Sequence, residues 1–128
     1  MEEFGMRARL KSLQSPDVAN LQDWSPEDET VFGFALQAMI GPQDGDSSES
    51  FDMLVCSPGW LSSEMTATSV RSGEHILFLI HYDYHLLRRY IERRVGACEA
   101  ATWPELARQL GRIGHWEFDA YQPCPLQT

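Results

Sequence analysis

The sequence predicts an α+β fold, a mainly antiparallel sheet of about five strands with two helices from the C-terminal half packed on it. Three observations carry that prediction. In several separate runs of the 128-residue chain, apolar residues recur at every second position, as they do in strands with one buried face. After residue 83, two runs space their apolar residues by three and four instead, which is the helical period. The strand-like runs mostly precede the helical ones and are joined by turns, so neighbouring strands pair antiparallel in one sheet.

In MRARLKSL, Met6, Ala8 and Leu10 alternate with Arg7, Arg9 and Lys11, giving a first strand with one dry and one wet face. Ser15-Pro16-Asp17 makes the turn that ends it. Residues 30–40, TVFGFALQAMI, set Phe32, Phe34, Leu36, Ala38 and Ile40 on one face and form the longest strand. Residues 41–50, GPQDGDSSES, gather turn formers and acids and read as a solvated hairpin loop. Phe51, Met53 and Val55 then alternate up to Cys56 as a third strand, which Pro58 stops because proline lacks a ladder donor. Trp60 and Leu61 begin a helical turn, and residues 62–73 are a connection of small residues. Residues 74–82 make a fourth strand, with Leu77 and Leu79 on one side and Ile76, Phe78 and Ile80 on the other. Apolar on both sides, it is predicted to be central and covered by helices.

Asp83 is placed to cap the next helix, where a carboxylate accepts from the free amides of the first turn. Along that helix Tyr84, Leu87, Tyr90, Ile91, Val95 and Cys98 share a face while Arg88, Arg89, Glu92 and Arg93 point away. Thr102 and Glu105 form a capping box around Pro104, and Trp103, Leu106, Ala107, Leu110 and Ile113 make a second stripe. Gly114 is expected to end this helix in a left-handed conformation. Residues 115–121, HWEFDAY, alternate once more as a closing strand with Trp116 and Phe118 inward. A single domain is expected over residues 1–121, followed by a tail over 122–128 that has two prolines and no pattern.

At 43% hydrophobic residues there is apolar surface enough for one core. Apolar runs such as ILFLI fall far short of the roughly 20 residues that span a bilayer, and MEEFGMRARLK lacks the basic-then-apolar order of a signal peptide. The expectation is a cytoplasmic protein with no membrane contact. Cys56, Cys98 and Cys124 contain no CxxC pair and leave an odd thiol, which argues against a disulfide framework and a zinc ribbon. The net charge of -9 is unevenly placed. Residues 1–66 carry twelve acids and three bases, and residues 67–128 carry seven of each. Such a field repels a phosphate backbone, so direct nucleic-acid binding is disfavoured, and it steers basic proteins inward.

No catalytic, metal or cofactor site is expected. Residues 44–49, DGDSSE, lack the carboxylate at position five, the glycine at six and the bidentate acid at twelve that a calcium loop requires. His81 and His85 lie four apart, but Asp83 between them acts as a cap and no third zinc ligand is near. Cys56 has no nucleophile elbow around it. Arg88, Arg89, Arg93 and Arg94 make a basic ridge, read as the solvated face of an amphipathic helix. The segment DWSPEDE, residues 23–29, remains. Ser25, Pro26 and Asp28 are a helix-start signature, yet a cap needs one carboxylate and four are present. Asp23, Glu27, Asp28 and Glu29 are therefore expected to form one acidic face with Asp44, Asp46 and Glu49, and Trp24 and Trp60 to serve as aromatic anchors for a partner.

The runs FALQAMIGPQDGDSSESFDMLVCSPGWL (residues 34–61) and TWPELARQLGRIGHWEFDAY (residues 102–121) carry a resemblance. Through IGP before an acidic loop, F-D-x-x-V-C-S-P-x-W-L and I-G-H-W-E-F, the chain resembles the immunity protein 8 family of bacterial polymorphic toxin systems, from about the first strand to Asp119. The resemblance implies an α+β protein, encoded beside a secreted or contact-delivered toxin, that protects the producing cell by binding that toxin without enzymatic activity. Many such toxins are nucleases with basic clefts, to which an acidic inhibitor is complementary; electrostatic steering lifts association toward about 10⁸ to 10⁹ M⁻¹s⁻¹ at low salt. Two alternatives come from other classes. One is a self-associating structural or regulatory module whose exposed sheet edge pairs with a second copy as a homodimer. The other is a small metal-dependent enzyme centred on His81 and His85.

Overall fold

A computed structural model describes residues 5–119. In chain order they form β1 (Met6–Gln14), β2 (Gly33–Pro42), β3 (Glu49–Cys56), α1 (Pro58–Glu64), β4 (Ile76–Phe78), α2 (Tyr84–Gly96), β5 (Glu99–Ala100), α3 (Trp103–Leu110) and β6 (His115–Trp116). The sheet runs β4-β3-β2-β1-β5, and β6 adds to β3. Antiparallel pairing joins β1, β2, β3 and β5, as the α+β prediction requires. The exception is β4, which runs parallel to β3 after the crossover through α1. One edge of β3 is thus shared: β4 pairs along its last three residues and β6 with Phe51 and Asp52.

Alternation places the core. Phe34, Leu36, Ala38 and Ile40 of β2 and Phe51, Met53 and Val55 of β3 are buried on one sheet face, with Ala8 and Leu10 of β1. Against that face lie Leu87, Ile91 and Val95 of α2 and Leu106, Ala107 and Leu110 of α3. Full burial of each such aliphatic side chain stabilises by about 1.5–3 kcal/mol relative to exposure. A bulge between Leu10 and Ser12 breaks the period of β1, which brings Leu13, three residues after Leu10, onto the core. The opposite face carries a polar ladder in which the Gln14 amide donates to Gln37 Oε1 at 2.5 Å and Gln37 donates to Asp52 Oδ1 at 3.4 Å.

Both predicted helix caps are formed. Leu86 N donates to Asp83 Oδ1 at 3.0 Å, and Glu105 N to the Thr102 hydroxyl at 3.4 Å. Ser57 caps α1, accepting from Trp60 N at 3.2 Å, and Pro58 sits in its first turn, where no amide is needed.

Several expectations are corrected. The fourth strand is short and lies at the sheet edge, with only β3 beside it among the described residues, and Phe78 and Ile80 are 50% and 62% exposed. Gly41 and Pro42 belong to β2 and Glu49 and Ser50 to β3, so the loop is shorter than 41–50. α3 ends in right-handed geometry at Gly111, and no glycine among the described residues has positive φ. The small residue at 114 serves close packing instead, because a Cβ there would lie 3.0 Å from Met53 Cε and 3.1 Å from Asp52 O. The closing strand keeps only His115 and Trp116, and Phe118 is 37% exposed rather than inward. The tail over 122–128 and Cys124 lie outside the described residues.

Candidate partner-binding site

The segment 23–29 forms no helix. A short helix is stable only when it buries an apolar face, and residues 25–31 offer nothing apolar except Val31, itself 39% exposed. Asp28 caps a turn instead: its Oδ1 accepts from Thr30 N at 2.9 Å and from the Thr30 hydroxyl at 3.1 Å. Those bonds favour the ionised carboxyl, the amide of Thr30 most, and hold Asp28 below the ordinary carboxylate range. Asn20 ties down the start of the loop, accepting from the amides of Gln22 and Asp23 and donating to Asp23 Oδ2 at 3.2 Å.

Trp24 fastens this loop to the sheet. Its ring meets Tyr82 at 5.0 Å, Phe34 at 5.3 Å and Phe32 at 6.4 Å between centroids, each edge to face, the arrangement favoured by ring quadrupoles. The Tyr82 hydroxyl donates to Leu21 O at 2.5 Å and closes the group from above. Burial, then the neighbouring Tyr84 and Asp83, pushes the Tyr82 phenol up to about 12. In the sequence the histidines of HYDYH stand out more than Tyr82, whose only signal is an aromatic at a strand end. His81 and His85 are both exposed, and His85 packs edge to face on Tyr84. Among the described residues no three His, Cys, Asp or Glu side chains converge on one point.

Trp60 lies at the same end of the molecule. Ser57 N donates to Phe32 O at 2.9 Å and Phe32 N to the Ser57 hydroxyl at 3.2 Å, which joins the start of α1 to the entry of β2. The indole of Trp60 rests on Gly33, where a Cβ would come within 2.4 Å of the ring; only glycine lets the two approach so closely. Asp23, Trp24, Glu27, Asp28, Glu29 and Trp60 therefore lie at the end of the sheet where β2 begins, Trp24 on the Phe34 face and Trp60 on the opposite face at Gly33. Between the loop and β4's exit lies a depression of about 420 Å³ lined by Ser25, Pro26, Glu29, His81 and Tyr82. Glu27 and Glu29 are exposed and make no hydrogen bond or ion pair among the described residues.

Asp44, Asp46 and Glu49 lie elsewhere. They flank the turn after β2, at the other end of a ten-residue strand, hence roughly 30 Å away at about 3.3 Å per residue. The seven acids are not one contiguous group. Lys11 donates to Gly45 O beside Asp44 and Asp46, and Arg7 lines the same hollow as Asp44. Glu49 is turned inward: one oxygen, Oε1, accepts from the indoles of Trp103 and Trp116, both at 2.8 Å.

The sequence of this fold matches the immunity protein 8 family model over residues 8–121. The chain belongs to the immunity protein 8 family. As a member it is a toxin-neutralising binding protein, not an enzyme, and its partner is a cognate toxin protein. No curated protein and no solved structure matches it. Among the described residues no helix is long and apolar enough to cross a membrane.

Proposed function

We propose that this immunity protein neutralises a basic, nuclease-type toxin in the cytoplasm of the producing cell, presenting the 23–29 loop to a cationic surface. The observation that carries the reading is the pair of exposed, unpaired carboxylates, Glu27 and Glu29, on a loop anchored by Trp24. An anchored backbone leaves little ordering entropy to be lost on binding, and carboxylates without internal partners keep their full charge for the partner. The depression between Glu29, His81 and Tyr82 has room for a lysine or arginine side chain of the toxin. Trp60, half-buried on the opposite sheet face at Gly33, is an aromatic at the same strand end. Asp44 and Asp46 contribute less, because the Lys11 ammonium bonds Gly45 O between them and offsets their charge.

Association with the toxin encoded in the adjacent reading frame tests this. The rate constant is expected to fall about tenfold or more between low and high salt. A flat salt profile ends the electrostatic reading and leaves the family assignment untouched.

A further inference from the structure

The fourth strand poses a question that the acidic loop does not answer. Its pattern is that of a strand covered on both faces, yet among the described residues it has one strand neighbour and an open edge. Phe78, Ile80, Leu86 and Tyr90, exposed by 50, 62, 49 and 37%, collect around that edge. Single exposed apolar residues are ordinary, but two at the end of β4 with two on the neighbouring helix α2 mark an interaction surface.

The edge is open in its backbone as well. His75 O accepts from Leu54 N at 2.9 Å and Leu79 N donates to Cys56 O at 3.1 Å, so the residues in that alternating set face β3. Successive residues of a strand turn their amide and carbonyl to opposite sides, so Ile76 and Phe78 direct theirs to the free edge. An apolar groove lies on each face beside it. On the helix side, a groove of about 440 Å³ runs between β4 and α2, walled by Leu77, Leu79, Leu86, Tyr90 and Arg93. On the other side, a hollow of about 710 Å³ is walled by Leu61, Met65 and Phe78. A strand added at this edge drops alternate side chains into the two grooves, which is how strand addition acquires specificity.

Charge decides the occupant. Arg93 walls the helix-side groove, makes no salt bridge among the described residues, and lies over the Tyr90 ring with its guanidinium carbon 5.9 Å from the centroid. Arg94 lies over the same ring at 5.8 Å and donates to the Tyr90 hydroxyl. We propose that the free edge of β4, with these two grooves, accepts an extended apolar segment of the toxin that carries a carboxylate opposite Arg93. This rests on the toxin-binding reading and adds a second contact to it, of opposite charge to the first.

The test uses blocked ten-residue peptides alternating valine with threonine and carrying aspartate, asparagine or lysine at one central position, titrated into the isotope-labelled full chain. The aspartate peptide is expected to shift the amides of Ile76, Phe78 and Ile80, slow their hydrogen exchange, and bind at least about fivefold more tightly than the lysine peptide. Arg93→Glu, at an exposed position, is expected to reverse that preference. No change at β4 with any peptide, or binding indifferent to the central charge, overturns the proposal. So does concentration-dependent protection of the same amides without peptide, which assigns the edge to a second copy of this chain. Because no toxin is needed, failure here leaves the acidic-loop reading standing, and the salt series tests that reading alone.

Discussion

Residues 23–29 and residues 44–49 carry similar runs of acids, and the fold fastens them by opposite means. The first is held by an apolar anchor, Trp24 among Phe32, Phe34 and Tyr82, so Glu27 and Glu29 are left to solvent. The second is held partly by a carboxylate itself, since Glu49 gives one oxygen to two indoles while Lys11 reaches back to Gly45 O. The first fastening leaves Glu27 and Glu29 exposed, whereas the second draws Glu49 inward and leaves only Asp44 and Asp46 of its run exposed.

Removing each anchor breaks the comparison most directly. Trp24→Ala is expected to cost about 3 kcal/mol in denaturant unfolding, and Trp24→Phe much less, because a ring still fills the space. Glu49→Ala leaves two half-buried indole donors without an acceptor and is expected to cost about 2 kcal/mol, with Glu49→Gln intermediate, since an amide oxygen still accepts. Glu49→Ala at wild-type stability would show that Glu49 is as free as the acids of the loop.

Charge reversal sharpens the contrast. Glu27→Lys with Glu29→Lys is expected to slow toxin association about tenfold at low salt while stability changes by less than about 0.5 kcal/mol. The double change Asp44→Lys, Asp46→Lys is expected to slow it about twofold at most. Equal slowing by the two pairs would erase the distinction between the segments.

The smallest effects are in pH. The Tyr82 phenol ionises near 10 when exposed and at about 12 in the fold, so its contribution is complete below pH 10 and disappears as pH rises toward 12. Tyr82→Phe should flatten that part of the stability curve, read by urea unfolding at alkaline pH. Asp28 has the opposite sign. Its lowered folded value adds stability above the ordinary 3.8 that fades as pH falls through the folded value, and Asp28→Asn should remove that acid limb.

Much of this was legible in the residues. The register of β2 follows from Phe34, Leu36, Ala38 and Ile40, because a one-residue slip would expose all four. The caps at Asp83 and Thr102 were legible because a helix start needs an acceptor within a few residues. The two-residue β5 was not, since its pairing is imposed by β1 and it contains no period of its own, and of the alternating closing run only His115 and Trp116 pair, with Asp52 and Phe51 of β3. β4 was misplaced for a different reason: alternation records that both sides of a strand are apolar but not whether this chain or another molecule covers them. The helix-start signature at Ser25 failed because Trp24 was drawn into the aromatic group and nothing apolar followed to hold a helix. Of the nine residues expected to meet the partner, six lie at the end of the sheet where β2 begins, while Asp44, Asp46 and Glu49 were separated from them by a strand's length that charge counting along the chain does not reveal.

The double hold of Glu49 reaches beyond stability. One oxygen atom links the start of β3 to α3 through Trp103 and to β6 through Trp116, so residues more than fifty positions apart in the chain let go together. Amides of α3 and β6 should accordingly exchange with solvent as one cooperative unit, released in the same opening event that frees the first residues of β3.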